Sequence, residues 1–104
     1  MPKFGNHKTV VDGMTFDSKK EARRYCELRM LERGKRITGL ALQPRFDFVI
    51  NGVKIGYYKA DFSYVENGAC VVEDVKSEFT KKLPVYRLKR KLMQAVHGIE
   101  IKEV

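Results

Sequence analysis

Lys59–Lys76, KADFSYVENGACVVEDVK, reads as two β-strands joined by a turn at Glu66-Asn67-Gly68. The first strand carries Asp61. The second ends in Glu73-Asp74-Val75-Lys76, two acids and a lysine closing an otherwise apolar run. Side chains alternate across a strand with period two, so Val72, Asp74 and Lys76 share one face while Val71, Glu73 and Val75 share the other. A tight antiparallel hairpin centred near Asn67 pairs residues whose numbers sum to about 134. Asp61 then lies opposite about residue 73, with Asp74 within one position, and a one-residue bulge exchanges the faces. Register alone leaves Glu73 and Asp74 open as the partner of Asp61. Lys76 favours Asp74, whose face it shares. Charged groups are rarely buried unless paired or bound to something, so this set of acids and lysine needs a physical reason.

Working outward, Val53–Val65 extends the first strand upstream, with Gly56 as a candidate bulge. Asn51-Gly52 is a second hairpin signal, and Arg45–Ile50 alternates as the strand before it, with residues 37–44 leading in. Three antiparallel strands in series follow. Ahead of them Asp17-Ser18 opens a helix: Ser18 with Glu21 three residues on makes a capping box, and the helix runs to about Glu32 or Arg33 before Gly34. Ala22, Tyr25, Cys26, Leu28 and Leu31 form its apolar stripe. Glu21 falls inside that stripe, whereas Glu27 projects to solvent among Lys20, Arg23 and Met30. Thr9–Phe16 reads as a short hairpin around Asp12-Gly13, and residues 1–8 as a loose basic arm. Downstream, residues 77–80 link to a second helix with Pro84 in its first turn, an apolar stripe of Val85, Leu88, Leu92, Ala95 and Val96, and an end at Gly98. Ile99–Val104 alternates as a last strand. The expected architecture is α/β, one domain over residues 1–104 with core order α-β-β-β-α-β after an N-terminal β-hairpin.

The 104 residues are 43% apolar and 33% charged, the balance of a globular chain rather than a disordered one. No run approaches the roughly 18 apolar residues of a membrane span. No apolar stretch follows MPKFGNHK, so the start reads as lacking a signal peptide. Cys26 and Cys70, the two cysteines, read as reduced thiols of a cytoplasmic protein. With His7 and His97 they show no close-paired zinc spacing. Lys and Arg number 21 against 13 Asp and Glu, a net charge of +8 that points to a polyanionic partner. The charge is segregated: residues 18–36 hold eight basic and three acidic side chains and residues 77–94 six and one, whereas residues 39–76 hold four and five. A basic surround with an acidic centre suits metal-dependent cutting of nucleic acid, in which cations hold phosphates and carboxylates hold a metal. Mg²⁺ takes hard oxygen ligands and keeps several waters, and it lowers the pKa of a bound water and stabilises charge on the phosphate. Asp61 and Asp74 are the candidate direct ligands, the Val75 carbonyl a third oxygen, Glu21 a further ligand through water or for a second ion, and Lys76 the cation beside the attacking water and scissile phosphate. Lys19, Lys20, Arg24, Lys81, Lys82 and Lys89 are the candidate DNA contacts, although Lys89 also reads as a snorkelling surface lysine. Gln43 reads as a strand-end hydrogen bonder, and Tyr58 and Tyr64 as packing.

Ala60-Asp61 followed thirteen residues later by Asp74-Val75-Lys76, with the upstream helical Glu21, resembles the PD-(D/E)XK nuclease superfamily. Asp12-Gly13, Phe16-Asp-Ser-Lys-Lys-Glu-Ala22, Arg24-Tyr25, Glu27-Leu28, Gln43-Pro44, Tyr58, Ala60-Asp61-Phe62 and Val72–Lys76 look like a family of small phage-encoded nucleases. The chain is also similar to Holliday-junction resolvases and to the endonuclease subunit of heteromeric transposases. The resemblance implies a restriction-endonuclease-like core with a mixed central sheet flanked by two helices, and Glu21, Asp61, Asp74 and Lys76 as active-site residues. It implies a Mg²⁺-dependent DNA endonuclease, with Mn²⁺ able to substitute, acting on branched or recombining phage DNA in the host cell cytoplasm. Ala60 departs from the motif's proline, its least chemical position. Cutting two strands of a junction together needs two sites and hence a homodimer. The alternative is a non-catalytic basic DNA-binding accessory protein. Residue by residue there are plainer readings too: Glu21 as a cap, Asp74 and Lys76 as an exposed ion pair, Asp61 as a solvent-facing strand residue.

Overall fold

The computed structural model describes residues 8–104, so the expected arm over residues 1–8, apart from Lys8, lies outside the described residues. Strands β1 (Thr9–Val11) and β2 (Met14–Phe16) form the expected N-terminal hairpin, with Thr9 opposite Phe16. Its turn residues Asp12 and Gly13 both take positive φ, as do Asn51 with Gly52 and Asn67 with Gly68. Two consecutive left-handed residues are what a two-residue turn needs to match the twist of its strands, so three Xaa-Gly pairs become three hairpins.

The strands between the helices differ from the expected three in series. Residues 38–42, expected as a lead-in, are a strand in their own right, β3 (Thr38–Leu42), followed by β4 (Arg45–Ile50). The expected long strand over residues 53–65 is interrupted and becomes β5 (Val53–Lys59) and β6 (Phe62–Glu66). The register is continuous across both breaks: Leu42 faces Phe62 and Arg45 faces Lys59, while Gln43 N–H donates to the Asp61 carbonyl at 2.9 Å and Ala60 N–H to the Pro44 carbonyl at 3.0 Å. The two pairs are halves of one long hairpin bent where Gln43-Pro44 faces Ala60-Asp61. Pro44 has no N–H to donate, and Gln43 takes φ 51°, so the ladder cannot run straight through. In a straight strand residues 58, 60, 62 and 64 would share a face. Instead Tyr58 and Ala60 pack with one core cluster, Phe62 and Tyr64 with the other. The expected bulge is also present, with the register shifting beside Gly56 between its pairing to Phe48 and the pairing of Lys54 to Val49.

Strand β7 (Ala69–Asp74) pairs antiparallel with β6, Phe62 opposite Glu73, and parallel with β8 (Lys102–Glu103). The main sheet is therefore mixed, in the order β3-β6-β7-β8, with β4-β5 and β1-β2 as separate two-stranded ribbons. Only two residues of the expected last strand pair as β8, although the Lys76 and Val104 amides extend the contact at 3.1 and 3.0 Å. The turn is Asn67-Gly68 rather than three residues, which moves the register on by one and sets Asp61, just beyond the ladder, level with Asp74.

Helix α1 (Lys19–Arg33) begins and ends as expected, with the Ser18 hydroxyl accepting from the Glu21 amide at 3.1 Å and Gly34 at the C-terminus. Glu21, Ala22, Tyr25 and Leu28 are its buried residues, packing with Phe16, Ile37, Phe62 and Tyr64. Cys26, expected on this stripe, is exposed, because it falls just past the arc that meets the sheet. Helix α2 (Pro84–His97) has Pro84 in its first turn and Gly98, at φ 68°, closing it. Its expected stripe holds only in its second half: Leu92 and Val96 pack against the core, and Ala95 is exposed. Tyr86 and Met93 are buried, packed with Phe48, Tyr58 and Val72, whereas Val85 and Leu88 are 66% and 58% exposed. The anchoring of Tyr86 gives the reason: its hydroxyl donates to Glu103 at 2.6 Å and its ring carries Lys76 Nζ at 4.5 Å. A tyrosine held at both its polar and apolar ends fixes the rotation of the helix and turns the aliphatic edge outward. Among the described residues no helix is long and apolar enough to cross a membrane.

Candidate active site

Face alternation along β7 decides what surrounds each acid. Glu73 points to α1, where it is fully buried and accepts two hydrogen bonds from Arg24, at 2.8 and 2.6 Å, and one from Tyr64. Burial pushes Glu73 up, but the Arg24 and Tyr64 hydrogen bonds together outweigh it and hold the carboxyl below its ordinary value. Glu73 is thus satisfied as part of the packing between α1 and the sheet and stands apart from the cavity described next.

Asp74, one residue on, points the other way. The Tyr58 hydroxyl donates to it, Lys76 Nζ lies 3.3 Å from its other oxygen, and it is only 3% exposed. Asp61 sits at the hairpin bend, where its carboxylate accepts from the Val75 amide at 2.7 Å. Glu21 reaches the same place from the first turn of α1. The three carboxyls lie close enough to act on one another, the charge of Asp74 raising both Glu21 and Asp61, and with Val75 and Lys76 they line a cavity of about 470 Å³ whose rim is Asp17, Ser18, Lys20, Ser77 and Thr80. Burial, with the hydrogen bond and charge of Asp74, pushes Asp61 up to about 8, against the pull of the Val75 amide. Burial, followed by the charges of Asp17 and Asp74, raises Glu21 as well. The acids are gathered without enough positive charge to neutralise them, since Lys76 is the one cation in direct contact among the described residues.

Such a set fits a hard divalent cation chemically: carboxylate oxygens are the ligands Mg²⁺ takes, and each retains lone pairs beyond its present bonds. Among the described residues no group of three or more His, Cys, Asp or Glu is placed so that it could hold a metal ion as it stands. Lys76 is held from two sides, by Asp74 and by the Tyr86 ring, with its side chain 21% exposed. Its backbone carbonyl accepts from Lys20 Nζ at 2.9 Å, which brings a second cation to the rim.

All four expected active-site residues, Glu21, Asp61, Asp74 and Lys76, therefore meet in one cavity. The expected DNA contacts are more scattered. Lys20 is at the rim and Lys19 and Lys82 are exposed. Arg24 is committed to Glu73 and Glu27, Lys81 pairs with Glu78 at 3.3 Å, and Lys89 lies 5.3 Å over the exposed ring of Tyr57. Sequence reasoning missed Tyr58, expected only to pack, which donates to Asp74. Burial raises its hydroxyl and keeps it a proton donor. It also missed Tyr86 under Lys76. Tyr58 stands among the residues of the family resemblance, the one signal that could have found it, whereas nothing local marks Tyr86, and the contacts of both depend on which elements meet. Gln43 borders a second cavity, of about 270 Å³, together with Glu21 and Asp61; its place opposite Asp61 follows from the hairpin register.

Residues 1–102 match the model of a family described as Protein of unknown function (DUF1064). The chain belongs to this family. No curated protein and no solved structure matches it.

The carboxyl cluster has a consequence for stability. Asp61 is raised from an ordinary 3.8 to about 8, so between those values the folded state binds more protons than the unfolded one, and stability falls as pH rises through that window. A divalent cation held by these carboxyls would favour their deprotonated form and offset this loss. Mg²⁺ is therefore expected to raise Tm more at pH 8.5 than at pH 5.5, and Asp61→Asn should erase the difference. Equal Mg²⁺ shifts at both pH values in thermal denaturation would contradict it.

Proposed function

We propose that this protein is a Mg²⁺-dependent DNA endonuclease of the PD-(D/E)XK type, hydrolysing phosphodiester bonds in branched or recombining phage DNA. The observation that carries the reading is the meeting of Glu21, Asp61, Asp74 and Lys76 in one cavity, with Asp61 pushed up to about 8 by burial and its carboxyl neighbours. Perturbed carboxyls converging beside a fixed lysine in a concave site are the mark of chemistry rather than of packing. We read the order α1, bent hairpin, β7, α2 and parallel β8 as the restriction-endonuclease-like α-β-β-β-α-β core of that superfamily.

In this reading Asp61 and Asp74 hold the metal, with Val75 contributing its carbonyl and Glu21 standing behind or holding a second ion. Bound there, Mg²⁺ (or Mn²⁺) supplies an acidified water and neutralises charge growing on the phosphate. Lys76 places its ammonium where that negative charge appears, already oriented by Asp74 and Tyr86, so little reorganisation is needed when the charge develops. Tyr58 fixes the Asp74 carboxylate by donating to it, a positioning role. Lys20 at the rim is placed for the flanking phosphate, and a homodimer would carry two such sites to the two strands of a junction.

The test is a nicking assay of purified protein on duplex, flap, fork and four-way-junction DNA, with Mg²⁺, Mn²⁺ or EDTA. Cleavage that needs the metal, strongest on branched substrates, is the expected result. Salt-sensitive DNA binding with no strand cut in either metal would instead make the protein a non-catalytic DNA-binding accessory.

A further inference from the structure

Helix α2 divides its surface into three sectors. Tyr86 and Met93 face the core, Val85 and Leu88 form the exposed aliphatic edge, and Arg87, Arg90, Lys91 and Gln94 occupy the third. Together with Lys81 that third group lines a cleft of about 300 Å³. Four cations surround it and only two are compensated among the described residues, Arg90 by Glu103 at 3.4 Å and Lys81 by Glu78 at 3.3 Å. Arg87 and Lys91 make no ion pair among the described residues. Arg87 with Arg90 and Arg87 with Lys91 stand three and four residues apart, the spacings at which like charges on a helix repel. A helix that keeps three cations this close, around a concavity, gains no stability from the arrangement.

The cleft adjoins the acidic cavity. Thr80 lines the cavity and Lys81, the next residue, lines the cleft. Glu103, the partner of Arg90, also accepts from Tyr86, whose ring carries Lys76. An anion seated in the cleft would therefore lie a short way along a strand from one at Lys76. Guanidinium groups bind phosphate oxygens in paired hydrogen bonds, and Gln94 adds a neutral donor and acceptor beside them.

We propose that this cleft is a second phosphate-binding site, which holds the backbone of duplex DNA beside the point of cleavage through Arg87 and Lys91. The identity of the ligand rests on the DNA reading given above; the binding itself does not require that the DNA be cut. An ordinary solvated cationic face would lower DNA affinity only through net charge, and that difference can be measured.

The experiment compares Arg87→Gln/Lys91→Gln with Arg33→Gln/Lys35→Gln, which removes the same charge from the far end of α1. Duplex-DNA affinity is measured in EDTA by fluorescence anisotropy across a salt series. Each phosphate that a protein no longer neutralises reduces the slope of log K against log salt by about 0.9. The Arg87/Lys91 variant should show a slope reduced by nearly twice that amount, and its affinity should fall about tenfold or more at low salt; the Arg33/Lys35 variant should change little in either. Lys91→Glu alone, on the solvent side of the helix, should weaken binding in the same direction. Equal slopes for the two double variants, or an unchanged slope for both, would overturn the proposal. The outcome is separate from the nuclease reading: a wild-type protein that cuts nothing can still show the Arg87/Lys91 slope change, and one that cuts normally can lack it.

Discussion

Asp61→Asn and Lys76→Ala proteins should leave DNA uncut in Mg²⁺ under conditions where wild-type protein nicks it to completion. Asp61→Asn keeps the shape of the side chain and can still accept from the Val75 amide, a bond of 2.7 Å, so the fold at the bend is preserved while the charge that would hold a cation is lost. Lys76→Ala removes an ammonium held 3.3 Å from Asp74 and 4.5 Å from the Tyr86 ring. Removing one preoriented stabilising group from a site of this kind costs about 10²–10³-fold in rate, and losing a metal-holding carboxylate should cost at least as much. Binding in Ca²⁺ or EDTA should change far less, because the cations placed for phosphate outside the acidic cavity, Lys20 at its rim and Arg87 and Lys91 in the cleft, are untouched. Single-turnover cleavage beside anisotropy separates the two effects. Cleavage by Asp61→Asn at the wild-type rate would remove Asp61 from the site and the metal-dependent mechanism with it.

The largest expected loss of stability is at Arg24. Arg24→Ala leaves Glu73, fully buried, with the Tyr64 hydroxyl and Lys102 no nearer than 4.0 Å. Breaking a buried pair by removing one partner costs about 3–5 kcal/mol, a large share of the roughly 5–15 kcal/mol by which a domain is stable. At about 4–8 °C per kcal/mol for a domain of this size, Tm should fall by more than about 10 °C. Glu27→Ala, which removes the exposed partner of the same arginine, should change Tm little. Arg24→Ala/Glu73→Gln should recover part of the loss, because the glutamine is neutral. The pH dependence has a definite sign. Glu73 is held below its ordinary 4.5, so the unfolded state binds more protons around that value; the stabilisation is present above about pH 4.5 and is lost as pH falls through the lower folded value. Denaturation midpoints between pH 3 and 7 should show this loss in wild type and not in Glu73→Gln. A Tm for Arg24→Ala within a few degrees of wild type would contradict the account of Glu73.

Asp74 and Glu73 are adjacent acids on one strand, and they show how far local pattern reached. Period-two alternation puts Asp74 with Lys76 and Glu73 on the opposite face, and the partners agree: Lys76 and Tyr58 for one, Arg24 and Tyr64 for the other. Helical projection turns Glu21 inward and Glu27 outward with equal success, and the Xaa-Gly pairs mark all three tight turns. These features follow from the geometry of a single element or turn, so a short stretch of residues is enough to specify them. The first half of the α2 stripe fails for the opposite reason. Aliphatic spacing selects Val85 and Leu88, but the rotation of the helix is set by Tyr86 against Glu103 and Lys76, residues from elements distant in the chain.

Local residues were enough to specify the three tight turns, the extents of α1 and α2, the inward face of Glu21 against the outward face of Glu27, and the segregation of basic flanks from an acidic centre. Tertiary structure alone decided the bend at Gln43-Pro44 and Ala60-Asp61, which turns a strand over and sets Asp61 level with Asp74 beneath the first turn of α1. It also decided that Tyr58 orients Asp74, that Tyr86 carries Lys76, and that Arg87, Arg90 and Lys91 enclose a cleft instead of merely coating a helix. Each depends on where one element stops and which other element meets it, and that is set by competition for burial across the whole chain rather than by any local run of residues.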